Sequence, residues 1–213
     1  MVSKRPLLAR QLVSYSKLLY ERNLVGGCEG NVSVRIDRKS ILITPTSKSL
    51  RSLKTTDLVE LSLSGKKLSG RQTPSSEYRL HLDIYQNRRD IGAVCHAHPL
   101  YATAFAVAGL AMEEPILPEI IVTFGAVPLI EYGTPGTDEI FEQMRDKIDR
   151  HDAFLLKNHG VVTIGQTLDE AFNRMEMVER SAQILAGARQ LGTPWVLPGD
   201  LVEKLPGIQR AKA

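Results

Sequence analysis

Cysteine is nearly missing from this sequence: 213 residues contain two, Cys28 and Cys95, in no C-x-x-C pair. That leaves no disulfide framework and no cysteine-held zinc to expect, and a reducing cytoplasm is the expected compartment. Long apolar runs are missing too. The longest, around 100–112, is too short to cross a bilayer, so no membrane partner is expected. The opening M-V-S-K-R-P-L-L-A-R has basic residues but no apolar stretch behind them, and it does not read as a signal peptide. Charge of one sign is scarce: 27 Lys and Arg stand against 24 Asp and Glu, a net +3. The two basic segments, 65–71 (G-K-K-L-S-G-R) and 210–213, are short and carry no interleaved aromatics, which argues against a nucleic-acid partner. The small positive excess suits an anionic small molecule better. No G-x-x-x-x-G-K-[ST] is present, which excludes a P-loop. No internal repeat or low-complexity segment is present either.

What is there belongs to a folded chain. Hydrophobic residues make up 43% and charged residues 24%, which excludes disorder, and the length suits one domain over 1–213. Leu8, Leu12, Tyr15, Leu18 and Leu19 share a helical face over 7–24, with Gly26 and Gly27 as the stop. Residues 31–36 and 58–63 alternate as strands do, and 40–44 is a short apolar run behind a D-R-K turn. A helix is predicted from the P-S-S-E segment at 74–77 to about Asn87, with Ser75 or Ser76 as its cap. A buried strand is predicted over 90–97 and a helix from Pro99 to about Gly109. Strands are predicted near 126–130, 153–156 and 161–164, and helices over 138–150 and 168–191. This interleaving predicts an α/β fold, a three-layer α/β/α sandwich with helices on both faces of a mainly antiparallel or mixed sheet. The proline-punctuated tail from about 192 is expected to be loosely attached.

The chemistry concentrates in few residues. Of five histidines, His96 and His98 are one residue apart in C-H-A-H-P, so on a strand both point to one side and can chelate one ion. His159 stands in K-N-H-G at the junction of two strand runs. Three imidazoles suit Zn²⁺ with a position left for substrate, although each motif alone also occurs structurally. His81 and His151 read as structural: His81 shares a helix face with Glu77 and could compete as a ligand, and His151 sits in a polar turn. Glu77 opens a helix, where a carboxylate is either a capping-box residue or, beside a metal, a ligand or base. Three polar segments, 29–31, 44–47 and 75–76, could present backbone N–H groups to a phosphate, or be ordinary turns.

The order of E-G-N-V-S, L-I-T-P-T, P-S-S-E-Y-R-L-H, A-V-C-H-A-H-P, E-Y-G-T-P-G-T and L-K-N-H-G-V-V resembles the class II aldolase/adducin family, and within it the aldolases for ketose 1-phosphates of the fuculose type. The resemblance runs from Leu7 to about Leu191. It implies that His96, His98 and His159 hold Zn²⁺ or another divalent transition metal. It implies that Glu77 is both a resting metal ligand and the catalytic base. It places the substrate phosphate at Gly30, Asn31, Thr46, Ser47, Ser75 and Ser76. It further implies a homotetramer with active sites at subunit interfaces, and cleavage of a sugar phosphate to dihydroxyacetone phosphate and an aldehyde. Two positions depart from the pattern. Ser47 stands where those aldolases have the glycine of T-P-T-G, and Glu119 stands where they carry a tyrosine acid from a neighbouring subunit. Glu119, set among apolar residues, is expected to be partly desolvated and to act as the acid, with Tyr132 as its competitor. Methylthioribulose-1-phosphate dehydratases, with a glutamate near the place of Glu119, are the first alternative. Pentulose-phosphate 4-epimerases, with Asp at the place of Glu77, are the next. A non-catalytic adducin-type module, which lacks the histidines, is the last.

Overall fold

The computed structural model describes residues 4–205; the basic end of the tail, 210–213, lies outside the described residues. Eight strands form one sheet in the order β4-β3-β2-β1-β5-β8-β7-β6. They are β1 (Asn31–Arg35), β2 (Ser40–Ile43), β3 (Val59–Ser62), β4 (Lys67–Ser69), β5 (Ala93–Ala97), β6 (Leu129–Ile130), β7 (Ala153–Leu156) and β8 (Gly160–Gly165). All neighbours are antiparallel except β6 and β7, so the sheet is mixed. Side chains alternate across it and feed two cores. Val94, Phe154, Val162 and Ile164 pack with α2 (Tyr78–Asn87) and α5 (Glu139–Met144) through Leu80, Ile84, Tyr85, Ile140 and Phe141. Cys95, Leu155 and Val161 pack on the other face with α1 (Arg5–Glu21), α3 (Leu100–Val107) and α6 (Leu168–Leu191) through Leu12, Leu19, Phe105, Met175 and Val178. The result is a three-layer α/β/α sandwich. Because both faces are covered, β5, β7 and β8 are buried along their whole length.

The structure departs from the sequence expectations at the ends of elements. Helix α1 stops at Glu21, before the two glycines. Asn23 takes φ +56°, and the N–H groups of Leu24 and Asn23 reach back to the carbonyls of Leu19 and Tyr20, a Schellman closure. The basic segment 65–71 holds β4, the exposed edge of the sheet, where lysines discourage pairing with another chain. Residues 118–123 form a short helix, α4 (Pro118–Thr123), started by its proline. The helix expected over 138–150 closes at Met144 and continues as hydrogen-bonded turns to His151. The tail is attached as far as it is described: Leu197 N–H donates to the Pro115 carbonyl (2.8 Å), and Gly199–Val202 form α7. No helix among the described residues is long and apolar enough to cross a membrane.

Candidate metal centre

Strand β5 is central, between β1 and β8, and its C-terminal end carries the paired histidines. His96 lies on the same face as Val94 and is fully buried. His98 follows one turn of the pleat later, pinned by its N–H to the Leu24 carbonyl (3.1 Å), and Pro99 then turns the chain into α3. His159 sits in the three-residue turn between β7 and β8, which Asn158 makes possible by taking φ +55°. Gly160, next in the chain, has no room for a side chain. A Cβ there would lie 2.6 Å from the Ala97 carbonyl oxygen and 2.6 Å from His98 Cδ2. The three rings meet edge to face, with centroids 4.7–5.0 Å apart, and their ligand nitrogens lie within 4.8 Å of one another.

Glu77 completes the group. It stands at the N-cap of α2, not within its first turn, and its carboxylate makes no cap hydrogen bond, which removes the capping-box alternative. The turn is closed instead by Ser75, whose Oγ accepts from Glu77 N–H (3.2 Å). Glu77 Oε2 lies 3.2 Å from His96 Nε2, Oε1 lies 3.3 Å from His159 Nε2, and His96 and His98 face each other through Nε2 at 3.1 Å. Donor atoms on one tetrahedral zinc are spaced by about 3.3 Å when metal–ligand bonds are about 2.0–2.1 Å. His96 Nδ1–H donates to the Val161 carbonyl (3.0 Å), leaving the Nε2 lone pair directed at Glu77 and His98. A lone pair and a carboxylate in contact call for a cation between them. Glu77 Oε1 is buried without a hydrogen-bond partner, as a ligand atom would be. The residues fit a divalent ion.

The electrostatics point the same way. Burial opposes ionisation of Glu77, but His96, His159 and the Asn31 amide outweigh it and hold the carboxyl far below the usual carboxylate range. Burial pushes His96 down, and the Glu77 carboxylate more than reverses this, so a cation is favoured at that spot. Burial, with His96 beside them, lowers both His98 and His159 to about 4, keeping them neutral and ready to bind a metal.

The phosphate candidates gather on the Glu77 side. Segments 44–47 and 73–76 run antiparallel, bridged at Pro45 and Pro74 and tied by Thr46 N–H to the Thr73 carbonyl (3.1 Å). Thr46, Ser47 and Ser76 are exposed there. Ser47 holds φ +56°, which glycine takes freely, so serine keeps the turn at a backbone cost of about 1–2 kcal/mol. Gly30, at φ +72°, packs so tightly that a Cβ would lie 2.8 Å from the His96 carbonyl oxygen. One expectation narrows. The Asn31 side chain is buried and committed to Glu77 and His81, so only its backbone remains for an anion. His81 is fully buried with both ring nitrogens bonded to Asn31 and Ser33, which leaves neither nitrogen for a metal. Burial, followed by the charge at His96, pushes it to about 3.

The two expected acids are exposed. Helix α4 buries Ile120 and Ile121 and turns Glu119 outwards, so it is exposed and not desolvated within one chain. Tyr132 is 57% exposed. A residue the sequence did not flag is Glu179 of α6. It is buried, and its carboxylate accepts from the N–H groups of Tyr101 and Ala102 (2.9–3.2 Å), capping the N-terminus of α3. It fixes the helix that begins two residues after His98.

Comparison with known proteins adds to this geometry. Residues 10–186 match the sequence model of the Class II Aldolase and Adducin N-terminal domain. An L-fuculose phosphate aldolase of Methanococcus maripaludis is 37% identical over 174 residues, 82% of this chain and 93% of its own. A 3-oxo-tetronate 4-phosphate decarboxylase of Escherichia coli is 32% identical over 200 residues, 92% of this chain and 94% of its own. A solved L-fuculose 1-phosphate aldolase superposes with a TM-score of 0.86 at 35% identity, covering 93% of each chain.

Proposed function

The chain belongs to the class II aldolase and adducin family and is a lyase, and from that premise we propose that it cleaves a ketose 1-phosphate to dihydroxyacetone phosphate and an aldehyde, with zinc held by His96, His98 and His159. The observation that carries this reading is the convergence of three imidazole nitrogens, two of which also meet a buried carboxylate with one unpartnered oxygen. A bound divalent ion supplies Lewis-acid stabilisation of the charge that develops on the substrate's ketone oxygen. The turns at Gly30–Asn31, Thr46–Ser47 and Ser75–Ser76 orient the phosphate and so fix the carbon that reacts. Glu77 removes the proton from that carbon in the condensing direction and returns it after cleavage. A second group must take the proton of the hydroxyl that becomes the aldehyde and, as the acid, return it in the condensing direction. Glu119, exposed on α4, is assigned that role in a neighbouring subunit of a homotetramer, with Tyr132 as the competing residue.

The decarboxylase relatives support a second reading. A 3-oxo-tetronate 4-phosphate and a ketose 1-phosphate share the same half, a ketone next to a phosphorylated carbon. Loss of CO₂ from one and of an aldehyde from the other leave the same negative charge on the ketone oxygen. Both reactions end in dihydroxyacetone phosphate, so that product alone does not separate them. The deciding experiment offers the protein L-fuculose 1-phosphate and 3-oxo-tetronate 4-phosphate separately, and assays released aldehyde and CO₂. Aldehyde from the first supports the aldolase reading. CO₂ from the second with no aldehyde from the first overturns it in favour of the decarboxylase.

A further inference from the structure

Behind Glu77 lies a row of buried polar groups that none of these steps uses. Tyr85 OH lies 2.9 Å from Ser33 Oγ, which lies 2.7 Å from His81 Nδ1. His81 Nε2 contacts Asn31 Oδ1, and Asn31 Nδ2 donates to Glu77 Oε2 at 2.8 Å. Tyr85, Ser33, His81 and Asn31 are all buried, between 0% and 4% exposed, and each is bonded to the next. Their proton positions follow from one fact: an ionised carboxylate only accepts. Asn31 therefore turns its NH₂ to Glu77 and its oxygen to His81. That oxygen also only accepts, so His81 Nε2 carries the proton. Nδ1 then bears the lone pair, Ser33 donates to it, and Ser33 Oγ accepts from Tyr85. Every bond points the same way, towards Glu77.

We propose that His81, backed by Ser33 and Tyr85, is a positioning residue that locks the Asn31 amide and through it fixes the orientation of the Glu77 carboxylate towards His96 and His159. Oε2, held by Asn31, is set against His96, and Oε1, which has no hydrogen-bond partner, is set against His159. A reversed Asn31 amide would set its oxygen against the carboxylate and its NH₂ against the His81 N–H, two repulsions at once. A single stable arrangement thus extends from Tyr85 on α2 through β1 to the working carboxylate. The role of Glu77 as ligand and base rests on the function proposed above; the direction of the chain does not.

The test has two independent arms. Nitrogen-15 NMR of histidine-labelled protein reads the ring tautomers directly, and the expected state of His81 is neutral with the proton on Nε2. A proton on Nδ1 overturns the proposal whatever the activity. The second arm is titration with Zn²⁺ alone against a chromophoric chelator. His81→Phe keeps the ring volume and removes the donor, and should weaken zinc binding by about 10- to 100-fold, the usual range for groups that orient metal ligands. His81→Gln, whose amide N–H can donate to Asn31, should recover most of that loss, which a purely space-filling role would not produce. Wild-type affinity in a folded His81→Phe protein, or a glutamine variant no better than the phenylalanine one, refutes the positioning role. If His81→Phe does not fold, the glutamine variant and the tautomer decide. Glu77→Gln belongs in the same titration: unchanged zinc binding and turnover there would remove Glu77 from the site while leaving the tautomer result to judge the chain.

Discussion

At the scale of single residues, the centre depends on groups that no other side chain replaces. His96→Ala removes the most buried of the proposed ligands, and should lose metal and activity together; full turnover after chelation and exhaustive dialysis would refute a metal requirement. Glu77→Gln keeps shape and hydrogen-bonding capacity but no longer exchanges a proton with carbon. A fall of about 10²–10⁴ in kcat is expected, and activity within twofold of wild type would refute the assignment. Gly160→Ala tests the packing that places His98. Its Cβ would overlap both the Ala97 carbonyl and the His98 ring, and the ring is the part that can move. Zinc affinity should fall at least about tenfold, as for other displaced ligand supports, while circular dichroism stays unchanged; an unaltered affinity would show that β8 gives way instead.

At the scale of elements, the candidate metal site is built where a strand end, a hairpin turn and a helix start converge. The helix that follows His98 is anchored at a distance. Glu179 lies 78 residues further along the chain than Tyr101, and its carboxylate satisfies two N–H groups that α3 cannot satisfy itself. Glu179→Ala leaves those donors buried, and charge-assisted hydrogen bonds of this kind contribute about 1.5–3 kcal/mol. A loss of about 2 kcal/mol is expected in urea denaturation, together with weaker zinc binding because α3 no longer steadies the His98–Pro99 corner. A loss under about 0.5 kcal/mol would mean that water replaces the cap.

At the scale of the whole molecule, one chain leaves Glu119, the proposed partner of the candidate metal centre, exposed on α4. If neighbouring subunits share each site, two inactive variants can complement. Glu77→Gln and Glu119→Gln chains, co-expressed in equal amounts, should form mixed rings in which about a quarter of the sites join an intact Glu77 to an intact Glu119. Activity well above both parents is the expected outcome, and light scattering should give four times the chain mass. A mixture no more active than its parents would place both groups in one chain or remove Glu119 from the reaction. Replacing Tyr132 by phenylalanine completes the comparison: a dead Tyr132→Phe protein beside an active Glu119→Gln protein would reverse the assignment.

The sequence by itself determined the elements with a strong period and the pairing of ligands within one strand. The spans 153–156 and 168–191 coincide with β7 and α6, because unbroken apolar periodicity leaves no competing structure. His96 and His98 had to share a face once 93–97 was a strand. Only the tertiary structure decided what depends on groups distant in the chain. Glu77 reads equally as a cap or a ligand until β1 brings Asn31 to its carboxylate. His81 shares Glu77's helix face in sequence, yet β1 takes both of its nitrogens. Glu119 looked desolvated among apolar neighbours, but those neighbours wind into a helix with one buried face, and the carboxyl lands on the other. The reason is common to all three. Local spacing fixes which way a side chain leaves the backbone, while its partner, its burial and therefore its chemistry are fixed by whichever remote segment the fold packs against it.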